Sequence, residues 1–443
     1  MANVSRIIRP EPILFVLWAN ELIQFVWSPP VLQTAAGWLM IVFVVLSLPR
    51  IRRGTVYLCV PLAVLTAGLT LNFDQAAGVM RGFQDAAVFM AFFGSIVLLR
   101  TLADRRPEIS RARDLFTSLR TEQINGAFLV GAHVIGSILV IGVMAILAPV
   151  LKHDADALIR RRAAEVSQRG MCLAPLWSPF WIASAFATQQ LPGVPAWEIM
   201  SLGLAMAAIG MVLAHIMYAR DVGLSDLWRA LLGFAPIVPT VALCAALITG
   251  LSAVAGLSTL KALIATIPFL AVLTLTAASM ATLRAVTTET WRGSSRISDE
   301  IIVVTAALVL GRVSQVAIGE IGIGETVAAL TIPTWGVIAS VIFIVTLASL
   351  VGIHQLVSMI VVLVIVVPLD TGVNDTILME AALIGWAFAS MIGLTAVSTA
   401  TASAMFGVPR IQLIFGPNLA FAAVFGALSV LLLSLVNSLF FAA

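Results

Sequence analysis

The feature that most limits the fold is a series of long apolar runs with few charges inside them. Only 11% of the 443 residues are charged, whereas an ordinary soluble domain carries roughly a quarter, so a water-facing surface cannot be covered. Within a bilayer the backbone must satisfy its own hydrogen bonds, which leaves α-helices or closed barrels. Barrel strands alternate apolar and polar residues, and these runs do not. The sequence therefore predicts an all-α integral membrane protein with about 10–14 membrane segments.

Basic residues gather in three connecting stretches, 49–53, 100–120 and 152–169. Clusters of this kind predict the cytoplasmic side of a membrane rather than nucleic-acid binding. The three stretches cannot all be cytoplasmic if 125–150 crosses the membrane once, so either 125–150 turns back or one stretch is an exception. We expect a multi-pass protein of the cell inner (plasma) membrane, in contact with the lipid bilayer and with no nucleic-acid partner.

An internal repeat is visible at an offset of 221 residues. Residues 129–143 and 350–364 are identical at seven of fifteen positions, including His133 with His354 and a glycine and a serine in register. Apolar composition explains matching Leu and Val residues, but it does not readily place Gly and His in register. The same offset brings Ser178 onto Thr399, and each half continues into a Gly-Val-Pro turn. A duplicated unit is predicted.

The two halves differ in the charge of the stretch before their broken segment. The first half has the basic stretch 152–169, whereas 369–376 contains two aspartates and no basic residue. Opposite charge at equivalent positions indicates opposite sides of the membrane, as in an inverted repeat. The predicted halves are 1–221, with a re-entrant or broken segment near 171–191, and 222–443, with one near 385–407.

Paired broken segments at corresponding positions predict a binding site near the membrane midplane. A helix interrupted there exposes unpaired N–H and C=O groups, which attract anions and cations respectively. The predicted substrate-binding residues are Ser178, Pro179 and Phe180 in the first half and Ser398, Thr399, Thr401 and Ser403 in the second. The alternatives are a plain proline kink at Ser178-Pro179 and hydroxyls that only bond the carbonyl one turn back.

Four further polar residues in apolar surroundings are candidates for the same site. His133 and His354 could relay protons or bind the solute, or could be satisfied polar residues that fix packing. Arg312 could neutralise an anion, because an arginine inside a membrane segment is costly and usually functional, or could instead extend to the membrane interface or pair with Glu320. Asn418 follows the second Gly-Val-Pro turn. The histidines and cysteines match no metal motif, so we expect no cofactor, with Na⁺ as a candidate coupling ion.

This pattern resembles the ion transporter superfamily, which includes divalent-anion/sodium symporters, arsenite permease-like proteins and membrane subunits of tripartite transporters. The resemblance is architectural and covers roughly 80–440: two inverted halves, each with a re-entrant hairpin and an interrupted helix. Ser178-Pro179 and Ser398-Thr399 stand where the symporters carry Ser-Asn-Thr. The resemblance implies a scaffold domain, a moving transport domain, an elevator-like mechanism and a homodimer.

The sequence thus predicts a secondary active transporter of a small anionic organic solute, coupled to Na⁺ or H⁺, and not an enzyme. It contains no P-loop, dinucleotide fingerprint or nucleophile elbow. Two alternatives stay open: a non-transporting membrane protein of envelope assembly, and an integral membrane enzyme acting on lipid-linked substrates. The identity of the solute, the choice of ion and the direction of transport are left open by the sequence.

Overall fold

In the computed structural model the chain is all-helical, and no β-strand occurs among the residues described. The described residues are 10–106, 124–151, 155–218, 232, 238–276, 278–322, 325, 326 and 329–441. Most of the basic stretch 100–120 lies outside them. The prediction of an all-α protein is confirmed.

The helices of the first part of the chain are α1 (Glu11–Gln24), α2 (Pro30–Ser47), α3 (Arg53–Asn72), α4 (Ala76–Ala103), α5 (Ile124–Leu139), α6 (Val143–Leu147), α7 (Ala157–Cys172), α8 (Ile182–Gln190) and α9 (Ala196–Tyr218). The second part contains α10 (Val238–Ala255), α11 (Thr259–Leu275), α12 (Met280–Ser294), α13 (Ser298–Ile321), α14 (Thr334–Leu350), α15 (Gln355–Val366), α16 (Asp375–Ile392), α17 (Val397–Phe406), α18 (Arg410–Ile414) and α19 (Pro417–Val436). Short 3₁₀ turns join several of them, and a π-helix, Asn437–Phe441, follows α19.

Eight stretches of the described chain are long and apolar enough to cross a membrane. They are Pro30–Arg50, Arg53–Asn72, Ala76–Ala103, Gly126–Val150, Ala196–Tyr218, Ser298–Ile321, Asp375–Phe406 and Arg410–Phe441. Four shorter apolar helices are Pro239–Ala255, Thr259–Leu275, Thr334–Leu350 and Gln355–Val366. The protein is therefore a multi-pass α-helical membrane protein.

The chain divides into two compact units, and unit 1 combines Met1–Leu102 with Leu263–Ala329. Helices α4 and α13 approach closely in this unit, because a β-carbon at Gly82 would lie 2.5 Å from the Cα of Val309. Small residues allow membrane helices such contact. Near the start of α13, Asp299 accepts hydrogen bonds from the Arg52 amide (2.9 Å) and the Thr55 hydroxyl (2.5 Å), which fixes α3 against α13.

Unit 2 combines Ala103–Ala262 with Leu330–Ala443, and α16 is its central helix. Every residue of α16 from Thr376 to Ile392 is buried, so this helix has protein on all sides and no lipid-facing stripe. Helices α14, α15 and α19 pack against it, as do α7, α8 and α9. Residues of α16 therefore contact helices from both chain segments that form unit 2.

Both parts of unit 2 follow the same order of elements. In the first, α5, α6 and α7 precede an interruption, α8, a Gly-Val-Pro turn and α9; in the second, α14, α15 and α16 precede an interruption, α17, a Gly-Val-Pro turn, α18 and α19. Each compact unit takes residues from both predicted halves, 1–221 and 222–443. That the halves are inverted repeats stays a prediction.

The stretch 152–169 differs from the basic connecting stretch that the sequence predicts, because its larger part is helix α7. Asp156 caps this helix by accepting a hydrogen bond from the Ile159 amide at 2.7 Å, which satisfies one of the free N–H groups of the first turn. From Ala163 onward every residue of α7 is buried. Two charges of this stretch, Glu165 and Arg169, therefore lie inside unit 2, whereas Arg162 is exposed.

We predict that Gly203→Ala destabilises the protein while Gly250→Ala does not. A β-carbon at Gly203 of α9 would overlap the carbonyl oxygen of Leu176, whereas nothing lies within 4 Å of one at Gly250. Overpacking costs about 1–3 kcal/mol, and alanine at an unhindered helix position is favourable. Thermal unfolding in detergent, followed by fluorescence-detected size exclusion, measures both variants. Equal melting temperatures would contradict the close contact between α9 and Leu176.

Candidate functional site

The first helix interruption runs from α7, which ends at Cys172, to α8, which begins at Ile182. Pro175 and Pro179 lie within it, and neither can donate a backbone hydrogen bond. The Ser184 hydroxyl lies 3.0 Å from the Pro175 carbonyl oxygen and 2.7 Å from that of Ser178. Hydroxyl groups therefore satisfy carbonyls that the interruption leaves free.

Ser178, Pro179 and Phe180 are all buried in this interruption. The Ser178 hydroxyl donates to the Ser137 carbonyl of α5 at 2.5 Å, and the Phe180 amide lies 3.4 Å from the same hydroxyl oxygen. The three residues are placed together at the break, as the sequence predicts. Whether they contact a solute stays a prediction.

His133 lies within α5, and both of its ring nitrogens have partners. The Trp177 indole N–H donates to His133 Nε2 at 3.1 Å, and Nδ1 lies 3.0 Å from the Gly170 carbonyl oxygen. Because Nε2 accepts, Nδ1 must carry the proton and donate, which defines a neutral tautomer. The geometry favours the packing role for His133 over a proton relay.

His354 occupies a different structural position from His133. It caps the start of α15, where its Nδ1 accepts a hydrogen bond from the Leu356 amide at 3.2 Å. One histidine is thus mid-helix and the other is a helix cap, although both match in sequence at an offset of 221. The two histidines therefore have different local positions, and a role for His354 in proton relay or solute binding stays a prediction.

The second interruption lies between α16, which ends at Ile392, and α17, which begins at Val397. The sequence predicts a broken segment near 385–407, and this interruption lies within it. The predicted hydroxyls at 398–403 do not form the break themselves, because those residues are a continuous helix. The break falls earlier because Gly393 is extended (φ −74°, ψ 140°), and a β-carbon there would overlap the Ser349 hydroxyl.

Hydroxyl groups of α17 bond the carbonyls at the end of α16. Ser398 and Thr399 both donate to the Ser390 carbonyl, and the Thr399 hydroxyl also lies 3.1 Å from the Met391 carbonyl. Ser398 and Thr399 are buried, whereas Thr401 and Ser403 are half-buried and lie outside the buried set of α17. The four predicted hydroxyls therefore do not all line one cluster, since the helix separates them.

Gln168 of α7 joins the first broken segment to the second. Its amide nitrogen lies 3.3 Å from the Thr399 hydroxyl and 3.4 Å from the Met391 carbonyl oxygen. Its amide oxygen accepts from the Asn418 amide at 3.2 Å. Gln168, Thr399 and Asn418 are all buried. A buried amide thus bonds to the start of α17, the end of α16 and the start of α19.

A charged group lies next to Gln168 on the same helix. Glu165 pairs with Arg161 at 2.8 Å and with the buried Arg169 at 3.6 Å. The Arg169 guanidinium lies 3.9 Å from the centre of the Tyr218 ring, and the Tyr218 hydroxyl donates to the Pro417 carbonyl at 2.8 Å. Two cations share one carboxylate, so the group carries an excess positive charge beside the first turn of α19.

Several buried polar atoms of unit 2 have no hydrogen-bond partner. They include Arg169 Nε, Gln355 Oε1, Asn418 Oδ1 and both carboxyl oxygens of Glu380. The amide nitrogen of Gln355 donates to the Ser390 hydroxyl at 3.2 Å, so its free oxygen lies close to the second interruption. Unsatisfied buried polar atoms are rare in native proteins and require an explanation.

Arg312 belongs to unit 1, where it forms an ion pair with Asp85 of α4 and approaches Gln315 Oε1 at 3.4 Å. The sequence alternative of a pair with Glu320 is wrong, because Asp85 lies on α4 next to the close contact at Gly82. Arg312 therefore has a neutralising partner within its own unit and is not among the residues that gather in unit 2.

Sequence reasoning missed the buried polar residues of α7 and α16. Glu165, Gln168 and Arg169 lie in a stretch interpreted as a basic connection, and Glu380 lies in an apolar run. The spacing of Glu165 and Arg169 was a usable signal, because residues four apart share a helix face. A second usable signal was the presence of Ala, Ser and Gly within 163–170, since small residues allow close helix packing.

Comparison with known proteins does not assign a family to the chain. No protein-family model matches the chain, and no curated protein does so either. Among solved structures, the crystal structure of the YdaH transporter from Alcanivorax borkumensis matches 75% of this chain and 87% of that chain, with 13% sequence identity and a TM-score of 0.34. The function must therefore be argued from the residues of the site.

We predict that Glu165→Gln strongly destabilises the protein and that Glu320→Gln does not. Removing the Glu165 charge leaves Arg169 buried without an anion, which costs about 3–5 kcal/mol, whereas Glu320 is exposed. The midpoint of thermal unfolding in detergent is the measurement. An unchanged midpoint for Glu165→Gln would mean that Arg169 does not depend on this carboxylate.

Proposed function

We propose that the protein is a secondary active transporter that moves a small anionic organic solute, coupled to Na⁺ or H⁺. The observation that supports this proposal is the hydrogen bonding of Gln168 to Thr399 and to the Met391 carbonyl. Two interrupted helical segments, distant in sequence, are thereby joined inside one compact unit. Interrupted helices that meet in this way are typical of substrate sites in membrane transporters.

The buried polar atoms fit a solute that carries hydrogen-bonding groups. Gln168, Thr399 and Asn418 offer buried amide and hydroxyl groups. In this conformation they mainly bond one another, and Asn418 keeps an unpartnered oxygen. A bound solute would exchange some of these internal bonds for bonds to itself, which avoids leaving polar groups unsatisfied in the membrane interior.

The excess positive charge on α7 supports an anion as the solute. Arg169 and Arg161 share the single carboxylate of Glu165, and Arg169 Nε has no partner. The first turn of α19 begins beside this group, with Gly416 and Pro417 at its start. Because helix N-termini carry a partial positive charge, both features favour a carboxylate or similar anion.

Coupling to an ion would supply the energy for accumulation. The Ser390 and Met391 carbonyls and the Thr399 hydroxyl are oxygen atoms of the kind that coordinate Na⁺, and a buried carboxyl group would instead carry H⁺. Unit 2 contains both interruptions, so we propose it as the moving body of an elevator-like mechanism, with unit 1 as the scaffold. A homodimer and an inner-membrane location belong to the same proposal.

We predict that Ser178→Ala combined with Thr399→Ala abolishes solute uptake but leaves expression intact. Each substitution removes a buried hydroxyl at one of the two interruptions, where it bonds a backbone carbonyl. Uptake of radiolabelled small carboxylates into proteoliposomes is the measurement. The matched control is Thr401→Ala with Ser403→Ala, two hydroxyls of the same helix outside its buried set, which should retain uptake. Wild-type uptake by the first double variant would refute this site.

We predict that Arg169→Gln removes stabilisation of the protein by small carboxylates. A ligand that binds only the folded state raises its stability by RT ln(1 + [L]/Kd), so wild-type protein should melt at a higher temperature as a carboxylate is added. The control is Arg410→Gln, which alters an exposed arginine and should keep the shift. A carboxylate-dependent shift of wild-type size in Arg169→Gln would exclude Arg169 from anion binding.

A further inference from the structure

Glu380 is a fully buried acid without a partner, in the middle of the most enclosed helix of unit 2. Its relative exposure is 0%, and neither carboxyl oxygen has a hydrogen-bond partner. An ionised carboxylate in such a place costs several kcal/mol unless a cation or donor offsets it. A residue of this kind inside a membrane protein requires a functional explanation.

The elements packed against α16 supply few charges. Helices α8, α14, α15, α17 and α19 contain no titratable side chain. The titratable groups on the remaining neighbours of α16, and on α16 itself, are Arg160, Arg161, Arg162, Glu165, Arg169 and Cys172 of α7, Glu198, His215 and Tyr218 of α9, Arg410 of α18 and Asp375 of α16. The basic members of this set are on α7 and α18, apart from His215.

The positions of these groups along α16 separate Glu380 from the buried cation. Gln168, next to Arg169, contacts the carbonyl of Met391, which lies eleven residues after Glu380 and so about 16 Å further along the helix. One turn before Glu380 on the same helix, Thr376 donates a hydrogen bond to Glu198 at 2.7 Å, which is an acid and not a cation.

We propose that Glu380 binds and releases the proton that drives solute accumulation, an inference that rests on the proposed transport function. A proton from the aqueous phase on one side forms an O–H bond with the carboxylate, which makes the buried group neutral. The same O–H bond breaks when Glu380 is exposed to water on the other side, and the proton returns to solution there. The carboxylate is the only group that changes its protonation in this cycle.

The surroundings favour a proton over a metal cation at Glu380. Metal cations are held by several oxygen ligands, yet residues 377, 383, 384 and 387, which lie one or two turns away along the same side of α16, have hydrocarbon side chains. Thr376 carries a hydroxyl, but this group already donates to Glu198. A single carboxyl group among hydrocarbon side chains suits one proton, which needs no further ligands.

The test uses purified protein in proteoliposomes with radiolabelled acetate, lactate, succinate and glutamate as probes. Counterflow without an ion gradient measures solute exchange, and an imposed pH gradient measures proton-driven accumulation. Wild-type protein should show both for at least one probe. Glu380→Gln should keep counterflow and lose accumulation, because glutamine cannot exchange a proton. Glu380→Asp, which restores an acid, should regain accumulation.

Glu198→Gln is the matched control, since it removes an acid that already has a hydroxyl partner, and it should keep both activities. Accumulation at the wild-type level by Glu380→Gln, with counterflow intact, overturns the coupling role alone. Absence of counterflow by wild-type protein for every probe overturns the transport proposal and the coupling role together. Loss of both activities in Glu380→Gln and Glu380→Asp alike assigns Glu380 a structural role and overturns the inference.

Infrared spectroscopy provides a readout that needs no solute. At neutral pH wild-type protein should show the C=O stretch of a protonated carboxyl group in apolar surroundings, shifted by deuteration and missing in Glu380→Gln. Identical spectra for the two proteins would mean that Glu380 holds no proton, and the inference would fail irrespective of the transport result.

Discussion

The structure of unit 2 depends on how hydrogen-bonding groups are satisfied where a helix stops inside an apolar interior. At the first interruption Ser178 donates to a carbonyl of α5, and Ser184 contacts two carbonyls of the break itself. At the second, Ser398 and Thr399 donate to carbonyls at the end of α16. Without these hydroxyls each interruption would leave buried acceptors unpaired, at a cost of about 1–3 kcal/mol apiece. The polar residues of the breaks are therefore structural requirements before they are binding groups.

The bonding of these hydroxyls to the backbone bears on the two interpretations that the sequence allows for them, solute binding and backbone hydrogen bonding. The hydroxyls bond the backbone, as expected of serine and threonine in apolar segments, but they bond carbonyls of another helix or of the break rather than the carbonyl one turn back in their own helix. A side chain that already touches a freed carbonyl stands beside the oxygen atoms that an ion could coordinate. Gln168, on the helix that leads into the first break, adds a contact to the second break, and the function proposed for the protein follows from that contact.

The sequence predicts the structural features that depend on neighbouring residues, and it fails for those that depend on contacts between residues distant in the chain. The all-helical membrane fold and the first break follow from local features, the apolar runs and the prolines near Ser178. The second break begins at Gly393, before the four hydroxyl residues that the sequence singles out. The sequence does not reveal this position, because it depends on close contact between Gly393 and Ser349. For Arg312 the sequence offers Glu320, eight residues away, as an alternative partner, whereas its partner in the structure, Asp85, is 227 residues distant in the chain. Partners set by tertiary packing leave no trace in local spacing.

The enclosure of α16 has a consequence for how the protein is made. This helix is apolar enough to enter the bilayer by itself, yet in the finished molecule it touches no lipid along Thr376–Ile392. Part of its cover comes from α19, where Phe425 packs edge-on against Phe388 at 5.9 Å between ring centres, and the ribosome synthesises α19 after α16. During translation α16 must therefore stay in contact with lipid or with the insertion machinery until α19 has been synthesised and inserted. The buried polar residues of unit 2 are therefore enclosed late in biogenesis. A substitution that disrupts α19 would leave α16 inserted in the membrane but incompletely covered by protein.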